Sequence, residues 1–146
     1  MPERKTLERA REDEREGKSP STQAGEFVRE EIHHIREGKH GARSAQQAIA
    51  IGLSKARRAG VKLGPPKGSA SIRKKAAQDT QAGSEQKGRK PSAARARAVE
   101  GALQREPSRA ASYEALSRQA KKSAVKRGKR NRREAALKAA RTRKAA

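Results

Sequence analysis

Lysine and arginine crowd the last quarter of this 146-residue chain, in strings such as Ala-Lys-Lys-Ser-Ala-Val-Lys-Arg-Gly-Lys-Arg-Asn-Arg-Arg at 120–133. The chemistry open to such a run is capture of polyphosphate, because each phosphate neutralised by a cation releases a condensed counterion. Residues 64–146 hold 24 Lys and Arg against 6 Asp and Glu, whereas residues 1–63 hold 14 against 10, so the second part supplies +18 of the net +22. The candidate nucleic-acid contacts there are Lys121, Lys122, Lys126, Arg127, Lys129, Arg130, Arg132, Arg133, Lys138, Arg141, Arg143 and Lys144. Nearer the amino end, Lys39, Arg43, Lys55, Arg57, Arg58 and Lys62 join them. The loop Gly38-Lys39-His40-Gly41-Ala42-Arg43-Ser44 runs into a helix start, where free amides and the positive dipole end could receive one phosphate together with Lys39 and Arg43. It lacks the order of a Walker loop, and no strand precedes it.

A second pattern is Glu30-x-x-His33 and Glu31-x-x-His34, with His40 close behind. Carboxylate and imidazole three residues apart share a helical face and could ligate a metal. One such helix supplies too few ligands for a carboxylate-bridged centre, so the histidines read as surface groups and no metal or other cofactor is expected. No nucleophile–base–orienter set is recognisable, and enzymatic activity is not expected. With one Phe, one Tyr and no Trp, stacking of single-stranded bases is scarcely supported. No zinc finger or aromatic RNA-binding signature appears, so affinity should depend weakly on base sequence.

The elements that must position these groups are helical. Nine large apolar residues (Phe27, Val28, Ile32, Ile35, Ile49, Ile51, Leu53, Val61, Leu63) fall between 27 and 63, and the remaining 83 residues after that hold seven. The spacing predicts a helix from Ser21 or Thr22 to Glu37, stopped at Gly38, with Ala24, Phe27, Val28, Ile32 and Ile35 on one stripe. A second helix starts at Ser44, where Ser-Ala-Gln-Gln makes a capping box, and ends at Gly60. Its inward face reads Ala45, Ala48, Ile49, Gly52, Leu53, Ala56 and Ala59, a shallow groove for the bulky residues of the first helix. Residues 21–63 are therefore expected as a helical hairpin, with Val61 and Leu63 folding back over its open end. Ile51 projects some 120° from the packed face, and is the candidate contact for a second copy or a protein partner.

Residues 1–20 read as a solvated, charge-alternating helix or arm, and residues 64–91 as a disordered linker rich in Gly, Pro and Ser. Residues 92–146 read as a basic tail of partial helicity, in segments 92–105, 108 or 112 to 127, and 131–145, broken by Pro107 and Gly128. Only a thin stripe (Tyr113, Leu116, Ala120, Ala124) is available to pack it. The expected fold class is mostly α with extensive disorder. Absence of cysteine excludes disulfide and thiolate chemistry, and no apolar run approaches a membrane span, so a cytoplasmic, nucleoid-associated protein is expected.

The run Gln47-Ala-Ile-Ala-Ile-Gly-Leu-Ser-Lys-Ala-Arg-Arg-Ala-Gly60, preceded by Gly25-Glu-Phe-Val-Arg-Glu-Glu-Ile-His-His-Ile-Arg-Glu-Gly-Lys-His-Gly41, resembles a bacterial family of small, basic, uncharacterised proteins, some labelled plasmid stabilisation or DNA-binding proteins. The resemblance covers about residues 20–66, and the Lys/Arg/Ala-rich tail is similar in composition to histone-H1-like bacterial proteins. It implies a compact hairpin with a basic tail and an architectural or plasmid-maintenance role, and it brings no catalytic residue. The family pattern has a basic residue where this chain has Gln46, one positive charge fewer at the helix start. Duplex DNA is the expected partner. An interaction module built on the hairpin, or a protein associated with RNA or the ribosome, are the alternatives.

Overall fold

Hydroxyl caps set the starts of the two hairpin helices. Ser19 accepts the Thr22 amide at 3.4 Å and Pro20 occupies the first helical position, where its missing N–H is harmless. Helix α2 therefore spans Pro20–Arg36, beginning two or three residues earlier than Ser21 or Thr22 as cap would allow. Ser44 caps α3 (Ala45–Arg58) by accepting the Gln47 amide at 3.2 Å. The Gln47 side chain reaches back, but to the Arg43 amide at 2.7 Å and not to that of Ser44. Gly38 and Gly60 end the two helices with positive φ of 74° and 98°.

The computed structural model describes residues 1–85 and 92–145. Its elements are α1 (Arg4–Arg15), α2, α3, α4 (Ala70–Glu85), α5 (Ala93–Gln104), a 3₁₀ turn (Ser108–Ala111) and α6 (Tyr113–Ala145). Among the described residues, no helix is long and apolar enough to cross a membrane.

Packing of α2 on α3 is close because Gly52 has no side chain: a Cβ there would lie 2.7 Å from Val28 Cα. One apolar cluster gathers Ala10, Ala24, Phe27, Ala56 and Val61, with Leu7, Leu53 and Leu63 against it. Val61 and Leu63 thus cover the open end of the hairpin. A second cluster unites Ile35, Ala42 and Ala48 with Ala110 and Ala111, and so ties the 3₁₀ turn to the hairpin. Ala59, expected inward, is exposed.

Extensive disorder is not what the chain adopts; it is all-helical. Within 64–91, the expected linker, α4 packs along α3. The docking is polar: Asp79, 3% exposed, accepts hydrogen bonds from Ser54 Oγ (2.6 Å) and Arg58 Nε (2.8 Å) of α3, and a third from Lys75 Nζ (2.8 Å) of its own helix. Gly83 meets the Arg57 and Arg58 carbonyls so tightly that a Cβ would collide. Residues 86–91 of that expected linker, and residue 146 of the tail, lie outside the described residues. Nor is α1 a solvated arm, since Thr6, Ala10 and Asp13 are buried and α1 packs on α2. The tail, described over 92–145, forms two full helices, α5 and α6, rather than partial ones, with the expected breaks around Pro107 and at Gly128 (φ 76°, ψ 163°), the latter a backbone conformation reserved to glycine.

Candidate nucleic-acid interface

The basic residues divide into two populations. Those of the hairpin are largely spent on internal partners. Lys55 Nζ lies 2.6 Å from Glu31 Oε2 and 3.8 Å from Glu30 Oε1, both carboxylates buried. Arg57 is itself buried and donates to the Gly64 carbonyl at 3.0 Å, and Arg58 is bound to Asp79. Lys39 pairs with Glu37 (2.9 Å) and Glu3 (3.6 Å). The Glu37 hydrogen bond holds its ammonium above the ordinary lysine range. Lys62 is exposed.

The basic residues of α6 are free of such ties. In 33 residues this helix carries 13 Lys and Arg against 2 Glu, and none of its residues is buried. Among the described residues its one ion pair is Arg130–Glu134 at 3.1 Å. The predicted contacts Lys121, Lys122, Lys126, Arg127, Lys129, Arg130, Arg132, Arg133, Lys138, Arg141, Arg143 and Lys144 all lie on α6 and are exposed.

How α6 is aimed follows from α2. Arg36 donates from Nε to the Ala111 carbonyl at 2.9 Å and places its guanidinium 4.3 Å from the centre of the Tyr113 ring. The loop before α3 grips the chain from the other side, Gly41 N–H donating to Leu103 O (2.9 Å) and Ala42 N–H to Pro107 O (3.1 Å). Gly41 is obligatory there because a Cβ would strike the Glu106 carbonyl.

These contacts create a groove of about 540 Å³ at the amino end of α3, lined by Arg43, Ser44, Gln46, Arg109, Arg118 and Lys122 among others. Four cations and the positive end of a helix dipole converge on it, a setting that favours an anion. Arg43 is thus brought to the expected phosphate position. Lys39 does not line the groove and pairs instead with Glu3 and Glu37. Arg109 and Arg118 were not among the expected contacts; a signal for Arg118 was Ser112, whose hydroxyl caps α6 on the Ala115 amide at 3.1 Å and fixes where α6 begins.

Ile51 is not the exposed contact expected: it is half-buried. Ser54 and Arg58, three and seven residues on and therefore on the same helical face, hold α4 there, so that face has an intramolecular partner. Of the histidines, His33 is exposed and pairs with Glu37 at 2.9 Å, while His34 and His40 are brought together beside Glu31. Each of these three residues offers a ligand-type atom within 4.8 Å of the other two.

Residues 17–68, just over a third of the chain, match the model of a family of unknown function, DUF6496. The matched stretch contains α2, α3 and the turn between them. No curated protein and no solved structure matches the chain.

Proposed function

We propose that this protein binds duplex DNA through its phosphates, with little reading of base sequence. The observation that carries this is the contrast between the two sets of cations: Lys39, Lys55, Arg57 and Arg58 of the hairpin are engaged within the fold, whereas those of α6 face solvent with, among the described residues, one ion pair and one bond from Arg132 to the Gly128 carbonyl. A helix so charged repels itself and is stabilised by a polyanion. The four-helix body acts as the anchor that aims α6 and supplies the groove at α3, and the Gly128 bend lets the two halves of α6 follow different stretches of backbone. Nothing in this surface resembles a stacking platform, which favours duplex over single strands.

A chain ended at Arg127 tests the reading. It removes eight Lys and Arg, of which Lys129, Arg132, Arg133, Arg143 and Lys144 fall within one 120° sector at about 100° per residue. If that sector meets phosphate, the slope of log affinity against log salt becomes shallower by about 4. An unchanged slope would overturn the proposal, and a structured RNA that outcompetes duplex DNA at equal salt would redirect it to RNA.

A further inference from the structure

Glu31 is a buried carboxylate, its side chain 1% exposed, lodged where the end of α2 meets the turn into α3. Its Oε2 lies beside Lys55, and its Oε1 faces His40 Nε2 at 3.3 Å, yet neither oxygen has a hydrogen bond of acceptable geometry. A buried carboxylate oxygen left so is costly, and a cation is what relieves it. His34 lies three residues on from Glu31 and hence on the same helical face, and His40 returns to that face after the chain reverses at Gly38. The two imidazoles meet edge to face with centroids 6.2 Å apart.

Each ring also has a polar partner outside the cluster. His40 Nδ1 stands 3.1 Å from the Gly41 carbonyl, which can only accept, so the ring's proton is on Nδ1 and a neutral ring turns the Nε2 lone pair toward Glu31 Oε1. Two lone pairs facing across 3.3 Å repel unless a positive charge sits with them. His34 Nε2 is 2.8 Å from Glu3 Oε1, the carboxylate support that ligating histidines commonly have. Counting Glu3, Glu30, Glu31 and Glu37 against Lys39 and Lys55, the cluster carries −2 with neutral imidazoles, inside a chain of +22.

We propose that Glu31, His34 and His40 form a three-ligand site for a divalent transition metal ion, zinc above all, with the fourth position open. Zinc accepts this nitrogen and oxygen set at about 2.0–2.2 Å, which brings ligand atoms to about 3.4 Å from one another. The closure from 4.8 Å is within reach of rotation about the His34 and His40 side chains, which remain 12% and 15% exposed and leave an entry path. The bound ion clamps the last turn of α2 to the turn before α3 and thereby the 103–107 segment that this turn holds.

The test uses the full, untagged chain stripped with chelator and titrated calorimetrically with zinc chloride alone, with cobalt as spectroscopic probe. One ion should bind per chain at about micromolar Kd or tighter, raise the melting temperature, and give a four-coordinate cobalt spectrum. H34Q and H40Q should each weaken binding by at least about tenfold while keeping their helix content, and H33Q, at the exposed neighbour, should leave it unchanged. Glu31 is spared because Lys55 depends on it. The proposal fails if the whole chain takes no zinc, or if H33Q weakens binding as much as H40Q does. It fails equally if nitrogen-detected NMR of His34 and His40 does not move on adding zinc.

Discussion

Asp79→Ala should detach α4 from the body without unfolding the hairpin. The carboxylate is nearly inaccessible and accepts three side-chain hydrogen bonds, at 2.6 Å from Ser54, 2.8 Å from Arg58 and 2.8 Å from Lys75. Arg58 and Lys75 are more than half exposed, so each contributes well below the roughly 3 kcal/mol of a fully desolvated charged bond. Lys75 belongs to α4 itself, so the bonds that cross to α3 are those of Ser54 and Arg58, and their loss comes to about 2–3 kcal/mol. Little else holds α4, since Ala76, Asp79 and Gly83 are its buried residues and Ile72 is exposed. Amide exchange in 70–85 should therefore quicken by about 30- to 150-fold, with α2 and α3 unchanged. Acid does the same to the unmodified chain. Burial raises the Asp79 pKa, but the hydrogen bonds from Lys75, Ser54 and Arg58 outweigh it and leave the pKa lowered. The stabilisation is thus complete above the ordinary value of about 3.9 and fades as pH falls through the lower, folded-state value. Exchange in 70–85 that is the same in wild type and Asp79→Ala would refute the reasoning.

Other substitutions separate packing from binding. Gly52→Ala gains about 1 kcal/mol of helix propensity, but its Cβ meets Val28 Cα at 2.7 Å; thermal unfolding should show a net loss of about 1–2 kcal/mol. Gly25→Ala, in open space on α2, should instead gain about 0.5–1 kcal/mol in the same measurement. Lys55→Met strands Glu30 and Glu31 in the interior and should cost about 3 kcal/mol in denaturant titration, while the salt dependence of DNA binding stays as it was.

The hairpin was legible because its apolar residues are large and periodic: Phe27 and Ile35 are fully buried, and Ser44 and Gly60 act as cap and stop. Helix α4 was not, because it docks through a carboxylate and two small residues, and a hydrophobic period is silent about polar docking. The same blindness hid α1, whose buried face is Thr6, Ala10 and Asp13. At the candidate interface, composition located the cations of α6 but could not tell that Lys55, Arg57 and Arg58 are committed internally. For Lys55 and Arg58 that depends on the acidic partners Glu31 and Asp79, 21 and more residues away, and for Arg57 on the carbonyl of Gly64. Arg109 joins the groove where Ala110 and Ala111 are buried with Ile35, Ala42 and Ala48, and two alanines in a short turn leave no hydrophobic period to read. The Glu31, His34 and His40 cluster likewise needed the reversal at Gly38 to form.

The central claim is most directly tested by the affinity of the whole chain for a duplex of mixed sequence, measured across salt concentration. With six to eight phosphates engaged by α6 and the groove, log Kd should rise with log salt at a slope of about 5–7, equally for unrelated sequences. No binding in dilute buffer, or a slope below about 2, would contradict it.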